Sequence, residues 1–319
     1  MTTPVHLDVI PAFTPYSLVI HAGAGRRPDD GALSADETDG LTAALRAGEQ
    51  VLAAGGSALD AVTAAVIELE DCPRFNAGRG AALTAAGTAE LDACICDGTT
   101  GRAGAVAGAT RAKNPVTAAR AVMERTPHVL LIDPSPEWLA ANEVAVVDPS
   151  YFITPRARAA LERKTGSTSA PVVAHPAPAT PPVLGHGTVG AVARDQHGNL
   201  AAATSTGGVT GQWVGRVGDT PIVGAGTWAD ARVAVSCTGI GEYFIRGAVA
   251  HDLAARIRYL SQPLPDAAPA TLIENVATPG GDGGLIAIDA AGHIVTAFVS
   301  GAMLRGYLTP DGPRVAVLP

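Results

Sequence analysis

The stretch from Gly166 to Gly187 constrains this chain most. It has no hydrophobic period, and Pro171, Pro176, Pro178, Pro181 and Pro182 bar it from helix or interior strand. It reads as a mobile linker. Directly after it, Gly187-Thr188 opens an apolar run, Val189-Gly190-Ala191-Val192-Ala193, with the character of a buried strand. A threonine at the mouth of such a strand is an unusual polar residue, and its hydroxyl is a weak nucleophile unless a base lies beside it. Cutting the chain before Thr188 would supply that base. An α-amine with a reference pKa of about 7.7–8.0 is partly neutral near physiological pH and can take the proton of its own residue's hydroxyl.

Helix and strand patterns lie on both sides of the linker. A strand at Ser17–Ile20 runs into His21-Ala22-Gly23-Ala24-Gly25, and a helix spans about 38–54. Ser57 and Asp60 form a capping-box-like pair before a second helix, whose Leu59, Val62, Val66 and Leu69 share one face. Strands follow at about 91–97 and 104–110, then a helix that Asn114 caps, Pro115 opens and Pro127 closes. Residues 156–164 read as helical. Beyond the linker come strands near 188–195, 200–206, 222–227 and 232–237, a helix near 241–260, and a final hairpin of 284–289 with 294–299. Runs of strands with grouped helices indicate an α+β domain of stacked sheets with helices on both outer faces. The 47% hydrophobic content of 319 residues suffices for its core, and the 4% aromatic content means that small side chains fill it.

A formal charge of -8 argues against nucleic acid or anionic membrane as a partner, since both are held by basic surface. A small-molecule or dipeptide substrate is expected instead. Cys72, Cys94, Cys96 and Cys237 lack the spacing of a disulfide framework, as expected of reduced thiols in the cytoplasm. Cys94-x-Cys96 resembles half a metal site, but no second Cys or His pair is suitably spaced. The N-terminus does not read as a signal peptide, and no stretch is long and apolar enough to span a bilayer.

Three further segments supply chemical groups. Thr204-Ser205-Thr206-Gly207-Gly208 ends a strand, where the Thr206 hydroxyl can meet the nucleophile; taken alone it is a weak signal, since most Ser/Thr clusters before Gly-Gly are turns. Gly215-Arg216-Val217-Gly218-Asp219 offers a guanidinium fork for a carboxylate and a carboxylate for an ammonium, the two halves of an α-amino acid head group. Its bland alternative is a surface ion pair. Ser236-Cys237-Thr238-Gly239-Ile240-Gly241-Glu242 leads from a strand through a glycine-rich turn into a helix, where N–H groups and the Thr238 hydroxyl can face an oxyanion, or simply make a turn.

Together with Phe75-Asn76-Ala77-Gly78 and Leu91-Asp92-Ala93-Cys94 upstream, these segments occur in order and at suitable intervals. The chain resembles the plant-type L-asparaginases/isoaspartyl peptidases of the N-terminal nucleophile hydrolase superfamily over roughly residues 17 to 310. The resemblance implies a four-layer αββα sandwich, cleavage between Gly187 and Thr188, and α (1–187, with an N-terminal arm 1–16) and β (188–319) subunits that together build one domain and pair as a dimer of αβ units. It implies Thr188 as nucleophile, Thr206 as its assistant, and Thr238 and Gly239 as oxyanion donors. Arg216 would take the substrate α-carboxylate, Asp219 and the Gly241 carbonyl its α-amino group, and Asn76 would orient the nucleophile's amine. No organic cofactor is implied, but the loop 69–79 resembles one that wraps sodium with backbone carbonyls, here Leu69, Glu70, Cys72, Phe75, Ala77 and Arg79.

Two segments depart from the family pattern. Ala22 replaces a glycine in the loop tied to maturation, and Val299-Ser300-Gly301 replaces a more polar segment near the pocket, which bears on leaving-group preference. Rival expectations are a glycosylasparaginase, which shares the head-group clamp, and an unprocessed homologue that binds aspartyl ligands without hydrolysing them. A dinucleotide loop is excluded because Arg26-Arg27-Pro28 follows Gly23-Ala24-Gly25, and a serine elbow because Ala203 precedes Ser205 where glycine is needed.

Overall fold

The computed structural model describes residues 4–12, 15–25, 31–166 and 187–318, so residues 167–186 of the expected linker lie outside the described residues. Before the linker run β1 (His6–Ile10), β2 (Ser17–Gly25), α1 (Ala35–Ala53), α2 (Ala58–Asp71), β3 (Leu91–Asp97), β4 (Ala103–Ala109), α3 (Pro115–Arg125), β5 (Leu130–Ile132), α4 (Pro136–Ala141) and α5 (Pro155–Thr165). After it run β6 (Val189–Arg194), β7 (Leu200–Thr206), β8 (Thr227–Ala229), β9 (Val233–Gly239), α6 (Gly241–Gly247), α7 (Val249–Leu260), α8 (Leu264–Leu272), β10 (Gly283–Asp289), β11 (Ile294–Phe298), β12 (Ala302–Thr309) and β13 (Gly312–Ala316).

Among the described residues the strands form an eight-stranded sheet, β13-β12-β2-β6-β7-β3-β4-β5, and a five-stranded sheet, β1-β11-β10-β9-β8. Three apolar cores separate four layers. Leu41, Leu45, Val62, Val66, Val116 and Val122 of α1, α2 and α3 pack with Leu18, Ile20, Ile95 and Ala203 on the outer face of the larger sheet. Leu253, Leu264 and Leu272 of α7 and α8 cover Val235, Leu285 and Val295 of the smaller one. Between the sheets lie Val19, Val192, Ala202, Ile286, Ile288 and Phe298. This is the expected αββα sandwich, and both sides of the linker contribute strands to both sheets. Among the described residues no helix is long and apolar enough to cross a membrane.

Local chemistry explains the helix starts. Ser34 caps α1 in a full capping box with Glu37, so the helix starts three residues earlier than the sequence pattern places it. Ser57 caps α2, accepting from Asp60 N–H at 3.1 Å. Asn114 and Pro115 take the expected N-cap and N1 positions of α3, but the Asn114 side chain makes no cap bond, and its amide donates to Asp71 Oδ1 at 3.0 Å. Buried Glu70 takes its place, accepting from Val116 N–H at 3.0 Å. Burial pushes the Glu70 carboxyl up to about 8.

The expected helix 241–260 is interrupted at Ala248, which adopts φ +43°. The break lets the first turn of α7 dock on a neighbouring loop, with Ala250 N–H on Ala225 O at 3.2 Å and His251 N–H on Gly224 O at 2.8 Å. Of the expected strand 222–227 only Thr227 belongs to a strand, with Val223 in an isolated bridge to it, because Ile222, Ala225 and Gly226 close turns back onto Asp219 O and Ile222 O. Residues 6–10 of the expected arm pair with β11, and Asp8 accepts from Arg305 Nε and Thr296 Oγ1, both at 2.8 Å. The hairpin 284–298 does not end the fold, since β12 and β13 extend the larger sheet beside β2.

Candidate active site

Strand geometry assembles the site. In the β6–β7 ladder Gly190 faces Thr204 and Val189 faces Ser205, so the residue before β6, Thr188, comes beside Thr206 at the end of β7. Thr188 Oγ1 donates to Thr206 Oγ1 at 3.1 Å, and both residues are buried. Thr206 Oγ1 in turn reaches Gly187 O at 3.2 Å and accepts from Gly208 N–H at 3.1 Å. A hydroxyl relay thus runs from the Thr188 side chain to the carbonyl of the peptide bond before it.

Asn76 completes this corner. Its Nδ2 donates to Gly187 O at 2.5 Å and to Gly208 O at 2.7 Å, while its Oδ1 accepts from Ala82 N–H at 2.6 Å. Two carbonyls on one end and an N–H on the other fix which way the amide points. In the uncut chain Asn76 therefore addresses the Gly187 carbonyl. Gly187 lies so close that a Cβ there would meet Asn76 Cβ at 2.7 Å.

Arg216, Asp219 and Gly241, expected to hold a head group, meet at the start of α6. A Cβ on Gly241 would lie 2.7 Å from Asp219 Oδ1 and 3.1 Å from Arg216 Nη2, so glycine is what lets fork, carboxylate and helix start converge. Arg216 Nε and Nη2 both reach Glu242 Oε1 at 3.0 Å. Burial pushes the Asp219 carboxyl up to about 7, helped by the nearby Glu242 and Asp92 and opposed by its own backbone N–H and Arg216. Asp219 Oδ2 and Thr238 Oγ1 are buried and, among the described residues, have no hydrogen-bond partner. Unpartnered buried polar atoms are costly, and a ligand that supplied the missing bonds would relieve that cost.

A buried polar chain that the sequence did not disclose joins the two sheets near Thr188. His21 Nε2 contacts Ser236 Oγ at 2.8 Å, Ser236 contacts Thr204 Oγ1 at 2.7 Å, and Thr227 Oγ1 reaches Thr204 at 2.6 Å. Burial pulls the His21 imidazole down to about 3, so it stays neutral. Period two puts Ser236 and Thr238 of β9 on one face, from which Ser236 meets Gly190 and Thr204. A Cβ on Gly190 would press into Ser236 Oγ and lie 2.5 Å from His21 Nε2. Gly190→Ala is expected to destabilise the fold by about 1–3 kcal/mol, the cost of overpacking a filled core. Chemical denaturation checks it, and an unchanged midpoint would show that this chain can shift aside.

Among the described residues no cluster of His, Cys, Asp and Glu is arranged to hold a metal, and the four cysteines are free thiols, with Cys94 Sγ and Cys96 Sγ 3.9 Å apart. The carbonyl loop fits an alkali cation better. A Cβ on Gly78 would meet Glu70 O at 2.5 Å and one on Gly80 would press on Phe75 O, so carbonyls crowd the inside of this loop. The carbonyls of Cys72, Phe75 and Ala77 each accept one N–H and keep a second lone pair. Of the departing residues, Ala22 is buried in β2, and Ser300 Oγ is spent on Ala302 O at 2.8 Å.

The sequence profile of the asparaginase family matches residues 14–317. The chain belongs to the asparaginase family. It is 47% identical over 302 residues to the isoaspartyl peptidase of Salmonella typhimurium, covering 91% of this chain and 94% of that protein. It is 48% identical over 273 residues to the isoaspartyl peptidase of Escherichia coli, covering 84% of each. The human isoaspartyl peptidase/L-asparaginase is 38% identical over 317 residues, or 95% of this chain and 99% of that protein. In this chain the two-sheet sandwich places Thr188, Thr206 and Asn76 in one hydrogen-bonded corner, and brings Arg216, Asp219 and Gly241 close together in another.

Proposed function

We propose that this chain matures by cutting itself before Thr188 and then hydrolyses β-aspartyl peptides and L-asparagine to release L-aspartate. The observation that carries this reading is the relay Thr188 Oγ1 to Thr206 Oγ1 to Gly187 O, with Asn76 Nδ2 on the same carbonyl. In maturation the Thr188 oxygen attacks the Gly187 carbonyl carbon. Asn76 and Thr206 stabilise the negative oxygen with hydrogen bonds. The C–N bond breaks, its nitrogen takes a proton to become the Thr188 amine, and water hydrolyses the remaining ester to leave the Gly187 carboxylate.

The freed amine then serves as base. Arg216 holds the substrate α-carboxylate, and Asp219 with the Gly241 carbonyl holds the α-ammonium. Thr188 Oγ1 attacks the side-chain carbonyl carbon, while Thr238 Oγ1 and Gly239 N–H take the oxyanion. Ammonia or an amino acid leaves with the proton, and water frees aspartate from the ester. Sodium on the carbonyls of Leu69, Glu70, Cys72, Phe75, Ala77 and Arg79 would supply charge alone, stiffening the loop that carries Asn76. No organic cofactor enters these steps. Assembly as a dimer of αβ units and a cytoplasmic location complete the proposal, the latter resting on the free thiols.

Comparing turnover of β-aspartyl-leucine with that of N-acetylglucosaminyl-asparagine tests the reading. The dipeptide is expected to be the faster substrate, and the reverse order would make the chain a glycosylasparaginase. A pH profile tests the site. Below about 7 Asp219 is protonated and loses its hold on the ammonium, and below about 7.7 the Thr188 amine is protonated and stops acting as base. Log kcat/KM is therefore expected to fall on the acid side with a limiting slope near 2, and log kcat, where bound ammonium keeps Asp219 ionised, with a slope near 1. Equal slopes would remove Asp219 from the head-group site.

A further inference from the structure

We propose that Asp92 is a positioning residue, whose carboxylate ties the head-group loop Gly215–Gly218 to the strand row carrying Thr188 and Thr206, while Glu90 fastens the other end of that loop. The proposal rests on the head-group reading of Arg216 and Asp219. Asp92 stands opposite Thr206 in the β3–β7 ladder, so the two side chains leave the same face of the sheet, with Cβ atoms about 4.5–5.5 Å apart.

On the other side of β3 the ladder is irregular. Leu91 pairs with Ala109 and Ala93 with Val106, so β4 carries one residue more than β3 across this interval. Gly108, at φ +62°, takes up the excess as a bulge, and its N–H turns onto Asp92 Oδ1 at 2.9 Å. The second oxygen, Oδ2, accepts from Gly218 N–H at 3.3 Å. Asp92 is only 3% exposed, so water does not compete for either bond. At the near end of the loop Glu90 Oε2 accepts from Gly215 N–H at 2.8 Å.

Arg216 thus sits between two tethered N–H groups, and Asp219 directly follows the second. Gly215 at φ +82° and Gly218 make this segment intrinsically pliable, so the tethers set where the guanidinium and the Asp219 carboxylate stand relative to the nucleophile. Asparagine at 92 keeps the volume but offers one acceptor oxygen where two N–H groups need two.

The test compares wild type, Asp92→Asn and Glu90→Ala in β-aspartyl-leucine turnover, in inhibition by L-aspartate, and in intact mass. In Asp92→Asn, KM and the aspartate inhibition constant are expected to rise together, on the order of tenfold, as for an unsatisfied buried donor, with a smaller change in kcat and the chain still cut before Thr188. Glu90→Ala, at a partly exposed position, is expected to move the same two constants in the same direction by a few fold. Unchanged constants in both variants overturn the proposal, as does a fall in kcat alone. Should Asp92→Asn not fold, Glu90→Ala decides by the same two constants. A wild type that binds L-aspartate by calorimetry but leaves the dipeptide intact counts against the proposed function; variants that bind L-aspartate as tightly as wild type count against the tether.

Discussion

Replacement of Thr188 by alanine is expected to leave one uncut chain by intact mass, where the wild type gives pieces beginning at Met1 and Thr188, and to lower hydrolysis by on the order of 10⁴-fold or more. Both effects have the same origin. The Thr188 oxygen is the atom that the relay places beside the Gly187 carbonyl before cutting, and the atom whose base appears only after cutting. Alanine removes the oxygen while Asn76 stays on Gly187 O, so the carbonyl keeps its hydrogen bond and lacks only its attacker. Wild-type protein that stays whole at this bond, yet turns over β-aspartyl dipeptides fully, would refute the account, because Thr188 would then have no free amine.

Arg216→Ala is expected to lower kcat/KM by roughly 30- to 5,000-fold, the loss that follows truncation of one partner of a charge-assisted, buried pair worth about 2–5 kcal/mol. Maturation should continue in this variant, since the relay at Gly187 is built from Thr188, Thr206 and Asn76. Arg216→Lys should recover little of the loss, because an ammonium cannot reproduce a planar fork shared between Glu242 and a substrate carboxylate. The Glu242 side chain is 54% exposed, so it can swing toward water when the substrate arrives. Steady-state kinetics with matured protein check this, and a kcat/KM within a few fold of wild type would show that the carboxylate is held elsewhere.

The helix Ala58–Asp71 was legible because its cap is three residues from its partner, and β3, β6 and β7 were legible because period and turn residues are local. Where the sequence misleads, a distant partner has won. Asn114 keeps the N-cap position of α3, but Glu70, 46 residues before Val116, takes the N–H bond that the Asn114 side chain does not make. The carbonyls of Gly224 and Ala225 take the first N–H groups after the break at Ala248, where Gly247 is the one local sign of it. β1 is hidden among prolines and becomes a strand because β11 offers it an edge. In the site, the hydroxyls and glycines of Thr188, Thr206, Arg216-Val217-Gly218-Asp219 and Thr238-Gly239 were readable as chemistry at strand ends. His21, Glu90, Asp92, Ser236 and Glu242 were not, because a lone polar residue has no period and its partner lies on another strand.

By itself, the sequence singled out Thr188 and the bond before it as the candidates for attack, since a threonine between a proline-rich segment and a buried strand is conspicuous from its neighbouring residues. It also determined the small-residue, two-sheet character of the core, through composition and local period. The tertiary structure alone decided that Asn76 meets Gly187, that Gly241 lets Arg216 and Asp219 converge, and that His21 is linked through Ser236 to Thr204. Such hydrogen bonds reach across tens to hundreds of residues and depend on strand register, which no local pattern of side chains encodes.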